Sequence, residues 1–435
     1  MKVDAAGAGL DERRLGNIAE HLNRRYLEPG KIAGAQVAVV RDGVLGYFES
    51  FGERDRERSV PVDEGTIWRL YSMTKPITGV AMMTLYEQGH FQLDDPIHRW
   101  IPEWRDMTVE EDDGAGGTRV VPAHRAPNVR DILSHTSGIG YGFENKDLVL
   151  GERSWLADHD LESMSKAFGA WPLRFQPGTK WLYSHGMDVA ARLVEIMSGL
   201  PYDEYLRQAI FEPLGMADTE FWVPGDKVDR FAACYGRNGR KELVLVDDPT
   251  TSTYLRKPKL FNGGGGLVGT TTDYVRFCTM LANGGELDGR RILGRKTIEL
   301  MACNHLAGDG DMADFALPLG YGEVGFEGRG FGLTVAVSKG PRASGIVGSA
   351  GEFMWGGAAS TSFWVDPAER LTVVFMTRAV AVRHLQLPCS VAGAGVRRRS
   401  RDRRSGRIRV MTMIDPAPAD TRRDRVLLDP VCPFA

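Results

Sequence analysis

The 435-residue chain is 43% hydrophobic and 26% charged, with a formal net charge of -3. Those values exclude a low-hydrophobicity disordered chain, an acidic solvating protein and a basic nucleic-acid binder. The balance hides an asymmetry: from Ala379 onward there are 12 Arg, 5 Asp and no Lys or Glu, so this tail carries +7 and residues 1–378 carry -10.

The opening "MKVDAAGAGLDERRLGNIAE" lacks the apolar core of a secretory signal, and no apolar run reaches the roughly 20 residues of a membrane span. The expectation is a cytoplasmic protein with no membrane or nucleic-acid partner; oligomeric state is not legible. Five widely spaced cysteines, Cys234, Cys278, Cys303, Cys389 and Cys432, contain no C-x-x-C pair, which argues against a disulfide framework or zinc knuckle. No metal or cofactor is expected.

In chain order, Leu15, Ile18, Leu22 and Tyr26 give residues 10–28 one apolar helical face. Two strand-like runs then flank Asp42-Gly43, a strong hairpin signal. "TIWRLYS" leads into "LYSMTKPIT", where Ser72 and Lys75 stand three apart at the start of an apolar helix. Pro76 is tolerable only near a helix's first turn, which fixes the start nearby. From Gln92 to Phe221 the chain reads as helices joined by polar loops, with "EEDDGAGGTR" as an acidic surface loop. Strand-like texture returns after about Asn262, and Thr270 with Asp273 resembles a capping box for the helix that follows.

This pattern predicts an α/β (α+β) fold: an antiparallel sheet built from both chain ends, flanked by helices, with an all-helical insertion. The expected division is a discontinuous sheet domain, 1–91 and 222–378, a helical subdomain, 92–221, and a tail, 379–435. The tail, rich in Arg, Asp and Pro, reads as disordered or as an altered reading frame.

Ser-x-x-Lys is a weak pattern, and it occurs twice. Ser163/Lys166 lies on a polar helix face and is expected to be structural. Ser72/Lys75 begins a helix whose next turns are apolar. Residues three apart project onto one face, so the amine can reach the hydroxyl. The free amides of the helix start favour negative charge developing there. A serine hydroxyl needs a neighbouring base, and lysine can be that base or a cation that stabilises a tyrosinate. Gly264, Gly266 and Gly269 fit G-x-G-x-x-G, but no βαβ unit surrounds them. No Gly-x-Ser-x-Gly occurs. His135 and His185 lack metal-ligand spacing.

"FQPGTKWLYSHGMDVAARLVEIMSG" places Tyr183 before a helix. With "RDILSHTSGIGYG", "FEPLGMADT", "NGGGGLVGTTTDYVRF" and "MWGGAASTSFWVDP", in that order, the chain from about Gly34 to Thr377 resembles serine β-lactamase-like and penicillin-binding-protein-like hydrolases. The resemblance is greatest to class C β-lactamase-like (family VIII) carboxylesterases. It implies Ser72 as acylated nucleophile, Lys75 as its partner and Tyr183 as general base. His185 stands where the family's Tyr-x-Asn has Asn. Trp355-Gly356-Gly357 stands where β-lactamases have Lys-Thr-Gly, and implies an oxyanion hole made by the N–H groups of Ser72 and Ala358. A tryptophan in place of a cation predicts an uncharged small-molecule ester as substrate and a short-chain carboxylesterase. The alternatives are a β-lactamase or D-amino-acid peptidase, an acyltransferase, or a binding module without turnover.

Overall fold

A computed structural model describes residues 2–141, 159–317 and 322–379; the tail beyond Ala379 lies outside the described residues. Its centre is an eight-stranded antiparallel sheet that joins the two ends of the described chain. Strand Gly34–Arg41 pairs on one side with Val44–Asp55 and on the other with Leu371–Thr377, in a register that sets Ala35 opposite Thr377 and Arg41 opposite Leu371. Asp42 and Gly43 both have positive φ, the geometry of a tight hairpin turn. Strands 361–366, 353–357, 336–338 and 329–331 extend the sheet on the Leu371–Thr377 side.

Alternation along these strands gives two apolar faces. Val37, Val39, Val373 and Phe375 pack against Leu15, Ile18 and Leu22 of the helix Glu12–Leu22. Ala38, Val374 and Met376 join the main core with Tyr274, Phe277, Cys278 and Leu281 of the helix Thr271–Ala282. The mixed α/β architecture agrees with the sequence expectation.

Gln36 is the polar exception on the first strand, and it is fully satisfied. Its amide nitrogen donates to Ser50 Oγ and the Asp63 carbonyl, while its oxygen accepts from Trp68 Nε1 at 2.9 Å and Thr271 Oγ1 at 2.7 Å. Trp68 lies on the short strand Ile67–Arg69, which pairs with Val268–Thr270. That pairing carries Ser72 to the glycine-rich stretch before Val268.

Three local expectations are corrected. The acidic "EEDDGAGGTR" is a hairpin, Thr108–Asp112 with Thr118–Pro122, not a loop, so the insertion expected to be all-helical over 92–221 contains two strands. Val109 is buried, while Glu110 and Glu111 pair with Arg174 and Arg119, so alternation holds despite the charge. A second hairpin, Cys234–Arg237 with Leu243–Asp247, appears before Asn262; Tyr235 is buried and Asn238-Gly239 lies in its turn region. At the helix 271–282, Thr270 accepts from the Asp273 N–H, but the Asp273 carboxylate turns instead to Asp218 N and Thr219 Oγ1.

Candidate active site

Ser72 sits in a tight turn, Tyr71–Met73, that runs directly into the helix Thr74–Glu87, with Pro76 in its first turn. Tyr71 has φ 45°, a left-handed conformation that costs a non-glycine residue free energy and recurs at functional sites. The turn is held from several sides. Leu70 N donates to the Leu267 carbonyl, Leu267 N to Thr74 Oγ1, and Tyr274 OH to the Met73 carbonyl at 2.9 Å.

Lys75 is 1% exposed, and its ammonium donates to Ser72 Oγ at 3.2 Å and to the Gly264 carbonyl at 2.6 Å. The same nitrogen lies 4.4 Å from the centre of the Tyr183 ring and 5.7 Å from that of Tyr141. A cation over a desolvated aromatic face is attracted by its quadrupole. Ser72, at 8% exposed, keeps a sliver of access; Tyr183 is 3% exposed. The hydroxyl, amine and phenol named from the sequence are therefore brought to one place.

Tyr183 is wedged among rings: Tyr141 at 5.4 Å, His135 at 4.9 Å and Trp355 at 5.3 Å between centroids. Trp355, on the strand Phe353–Gly357, is fully buried, and its Nε1 donates to Tyr183 OH at 3.1 Å. The sequence reading took Trp355 only as an uncharged side chain in place of a cation; its placement also supplies a donor. Gly357 has no room for a Cβ, which would stand 2.6 Å from the Leu70 carbonyl. The strand thus passes directly beside the Ser72 turn, with Gly356 buried and Ala358 half-buried just beyond.

His185 is buried rather than exposed to solvent. Its Nδ1 lies 2.8 Å from Asp188 Oδ2, and its ring stacks on Phe168 at 5.0 Å. His135 places Nδ1 3.0 Å from Ser184 Oγ; burial, then the Lys75 charge, holds it well below the ordinary imidazole value, so it is neutral near pH 7. Ser163 and Lys166 are exposed: Ser163 closes a capping box with Asp160, and Lys166 pairs with Glu162. Among the described residues no three His, Cys, Asp or Glu are grouped to hold a metal, and no helix is long and apolar enough to cross a membrane.

The residues not singled out beforehand are Tyr141, Asp188 and the Gly264 carbonyl. Tyr141 stood in a quoted phrase, "GIGYG", whereas a backbone oxygen has no sequence signature.

This constellation on this sheet defines a serine hydrolase, and sequence comparison agrees. A model of the Beta-lactamase family matches residues 19–384, and the chain belongs to that family. Among relatives, it is 32% identical over 383 residues to Protein Rv1367c of Mycobacterium tuberculosis, covering 85% of this chain and 92% of that one. It is 29% identical over 412 residues to Esterase EstB of Burkholderia gladioli, covering 90% and 97%. Among solved structures, EstCE1, described as a hydrolase with promiscuous acyltransferase activity, superposes with a TM-score of 0.72 at 25% identity, covering 88% and 98%.

Proposed function

We propose that the protein is a carboxylesterase that hydrolyses short-chain, uncharged acyl esters through an acyl-Ser72 intermediate. One observation carries this reading: a single buried ammonium, Lys75, touches Ser72 Oγ and lies over the face of Tyr183, whose hydroxyl accepts from Trp355. Cation and indole donor both favour negative charge on the phenol oxygen. Tyr183 as phenolate takes the Ser72 proton, and Ser72 Oγ attacks the ester carbonyl carbon. The oxyanion is held by the N–H groups of Ser72 and Ala358. One such donor is typically worth about 2.7–4 kcal/mol of transition-state stabilisation. Tyr183 returns the proton to the departing alcohol, then takes one from water, which attacks the acyl carbon; the acyl–Oγ bond breaks, Tyr183 hands its proton to Ser72 Oγ, and the acid leaves.

The substrate class is supported by the neutral indole at position 355, where the resemblance puts a cation in β-lactamases, and by the names of EstB and EstCE1. EstCE1 also favours a second reading, in which an alcohol replaces water in deacylation. Ser72→Ala should abolish hydrolysis of p-nitrophenyl acetate and butyrate, and Ser163→Ala should leave it intact. Survival of activity in the first variant, or equal loss in both, would overturn the assignment. Nitrocefin turnover rivalling that of the esters would overturn the substrate class.

A further inference from the structure

Asp188 lies in the first turn of the helix Gly186–Ser198 and is fully buried. A carboxylate removed from water is costly unless it is paired. Its Oδ2 lies 2.8 Å from His185 Nδ1, and its Oδ1 accepts the Gly264 N–H at 3.0 Å. The carbonyl of that same glycine accepts from Lys75 at 2.6 Å. Asp188 Oδ2 and Lys75 Nζ each stand 3.4 Å from where a Gly264 Cβ would be, so the two charges are neighbours across one Cα. The rest of the turn is fixed independently: Thr78 Oγ1 donates to the Gly263 carbonyl at 2.6 Å, and a Cβ on Gly263 would stand 2.5 Å from the Met187 carbonyl.

We propose that Asp188 is the positioning residue and counter-ion of Lys75. Through Gly264 it fixes the carbonyl that aims the ammonium at Ser72, and its charge keeps that amine cationic. Tyr183, not Lys75, then receives the serine proton. The inference rests on the Ser72–Lys75–Tyr183 reading and adds to it the group that aims Lys75 and holds it as the cation. The charged and titratable groups facing Asp188 are Lys75 from the helix 74–87, His185 from its own helix start, Tyr202 from the helix Tyr202–Leu206 and Tyr183 beyond Lys75.

The sign of the effect follows from charge. Without the carboxylate, Lys75 gives up its proton at lower pH, and Tyr183 also ionises at lower pH. Asp188→Asn keeps an oxygen for Gly264 N–H, removes the charge, and turns the atom facing His185 Nδ1 from an acceptor into an amide donor. The variant should lower kcat/KM about 10–100-fold and move both limbs of the pH–rate profile toward acid. His185→Gln keeps the carboxylate and should not give that acid displacement. An Asp188→Asn profile that falls in height without moving, or is unchanged, would overturn the proposal, as would an equal acid displacement in His185→Gln. If Asp188→Asn does not fold, carbon-13 lysine NMR of the wild type decides: Lys75, assigned through Lys75→Arg, should remain an ammonium at pH 8, and a neutral amine at that pH would overturn it. Failure of the underlying reading is separate, since it appears as hydrolysis surviving Ser72→Ala.

Discussion

The indole N–H of Trp355 meets the hydroxyl of Tyr183 over 3.1 Å, although the two residues lie 172 positions apart. One belongs to the central sheet and the other to the segment just before the helix 186–198, so the bond ties the sheet to the proposed general base. A hydrogen bond to a charged group contributes about 1.5–3 kcal/mol. It strengthens as Tyr183 gains negative charge, which makes it worth more as the phenolate than as the phenol.

Trp355→Phe keeps the apolar bulk and loses the donor. Its kcat on p-nitrophenyl butyrate should fall about 10–100-fold with KM changed little, by the energy of one charge-assisted bond. Steady-state kinetics check this. A rise in KM at constant kcat would place Trp355 in substrate binding instead.

Gly357→Ala would put a Cβ 2.6 Å from the Leu70 carbonyl, forcing the strand away from the Ser72 turn. Loss of one oxyanion donor typically costs 10²–10³ in kcat. A drop of about that size, together with a lowered thermal unfolding midpoint because the clash is with backbone, is expected. The comparison of kcat with the melting curve checks it.

Glu352 is buried beside the sheet, and burial first, then the Asp366 charge, pushes its carboxyl up from 4.5 to about 7, with Arg329 only partly opposing. The folded state therefore holds this proton more tightly than the unfolded one. Its contribution to stability is full below pH 4.5 and is lost as pH rises through 7. The loss is on the order of 1–3 kcal/mol. Glu352→Gln should flatten this slope, which urea midpoints of both proteins at pH 5 and pH 8 would read out.

Arg378, just past the last strand, is 2% exposed, and none of its three guanidinium nitrogens has a hydrogen-bond partner among the described residues. Burial, then Arg69, lowers it to about 9; it lies 5.6 Å from the Tyr71 ring. An uncompensated buried charge is destabilising, and replacement of buried ions by apolar groups often stabilises by about 1–4 kcal/mol. Arg378→Met should raise the unfolding midpoint by a few degrees in a thermal melt; a lower midpoint would mean the guanidinium is paired in solution.

Much of this was legible in the sequence, for identifiable reasons. Ser72 and Lys75 share one helical turn, so their contact follows from spacing, and the Asp42-Gly43 turn follows from the residues that tolerate positive φ. The hairpin around Asn238-Gly239 had a signal too, but short strands between charged residues masked it. The acidic hairpin 108–122 was hidden because its partners, Arg119 and Arg174, neutralise it only after folding. Asp188 read as an ordinary acid in a helix's first turn; its bond to Gly264 spans 76 residues and depends on tertiary contact.

The central claim is that Ser72 carries the acyl group. Intact-mass spectrometry with peptide mapping, after brief mixing with a p-nitrophenyl ester or labelling with a fluorophosphonate, reads this directly. One added group on the peptide containing Ser72 is predicted, absent from Ser72→Ala. A stoichiometric adduct on any other residue, or none from a sample that turns over ester, would contradict it.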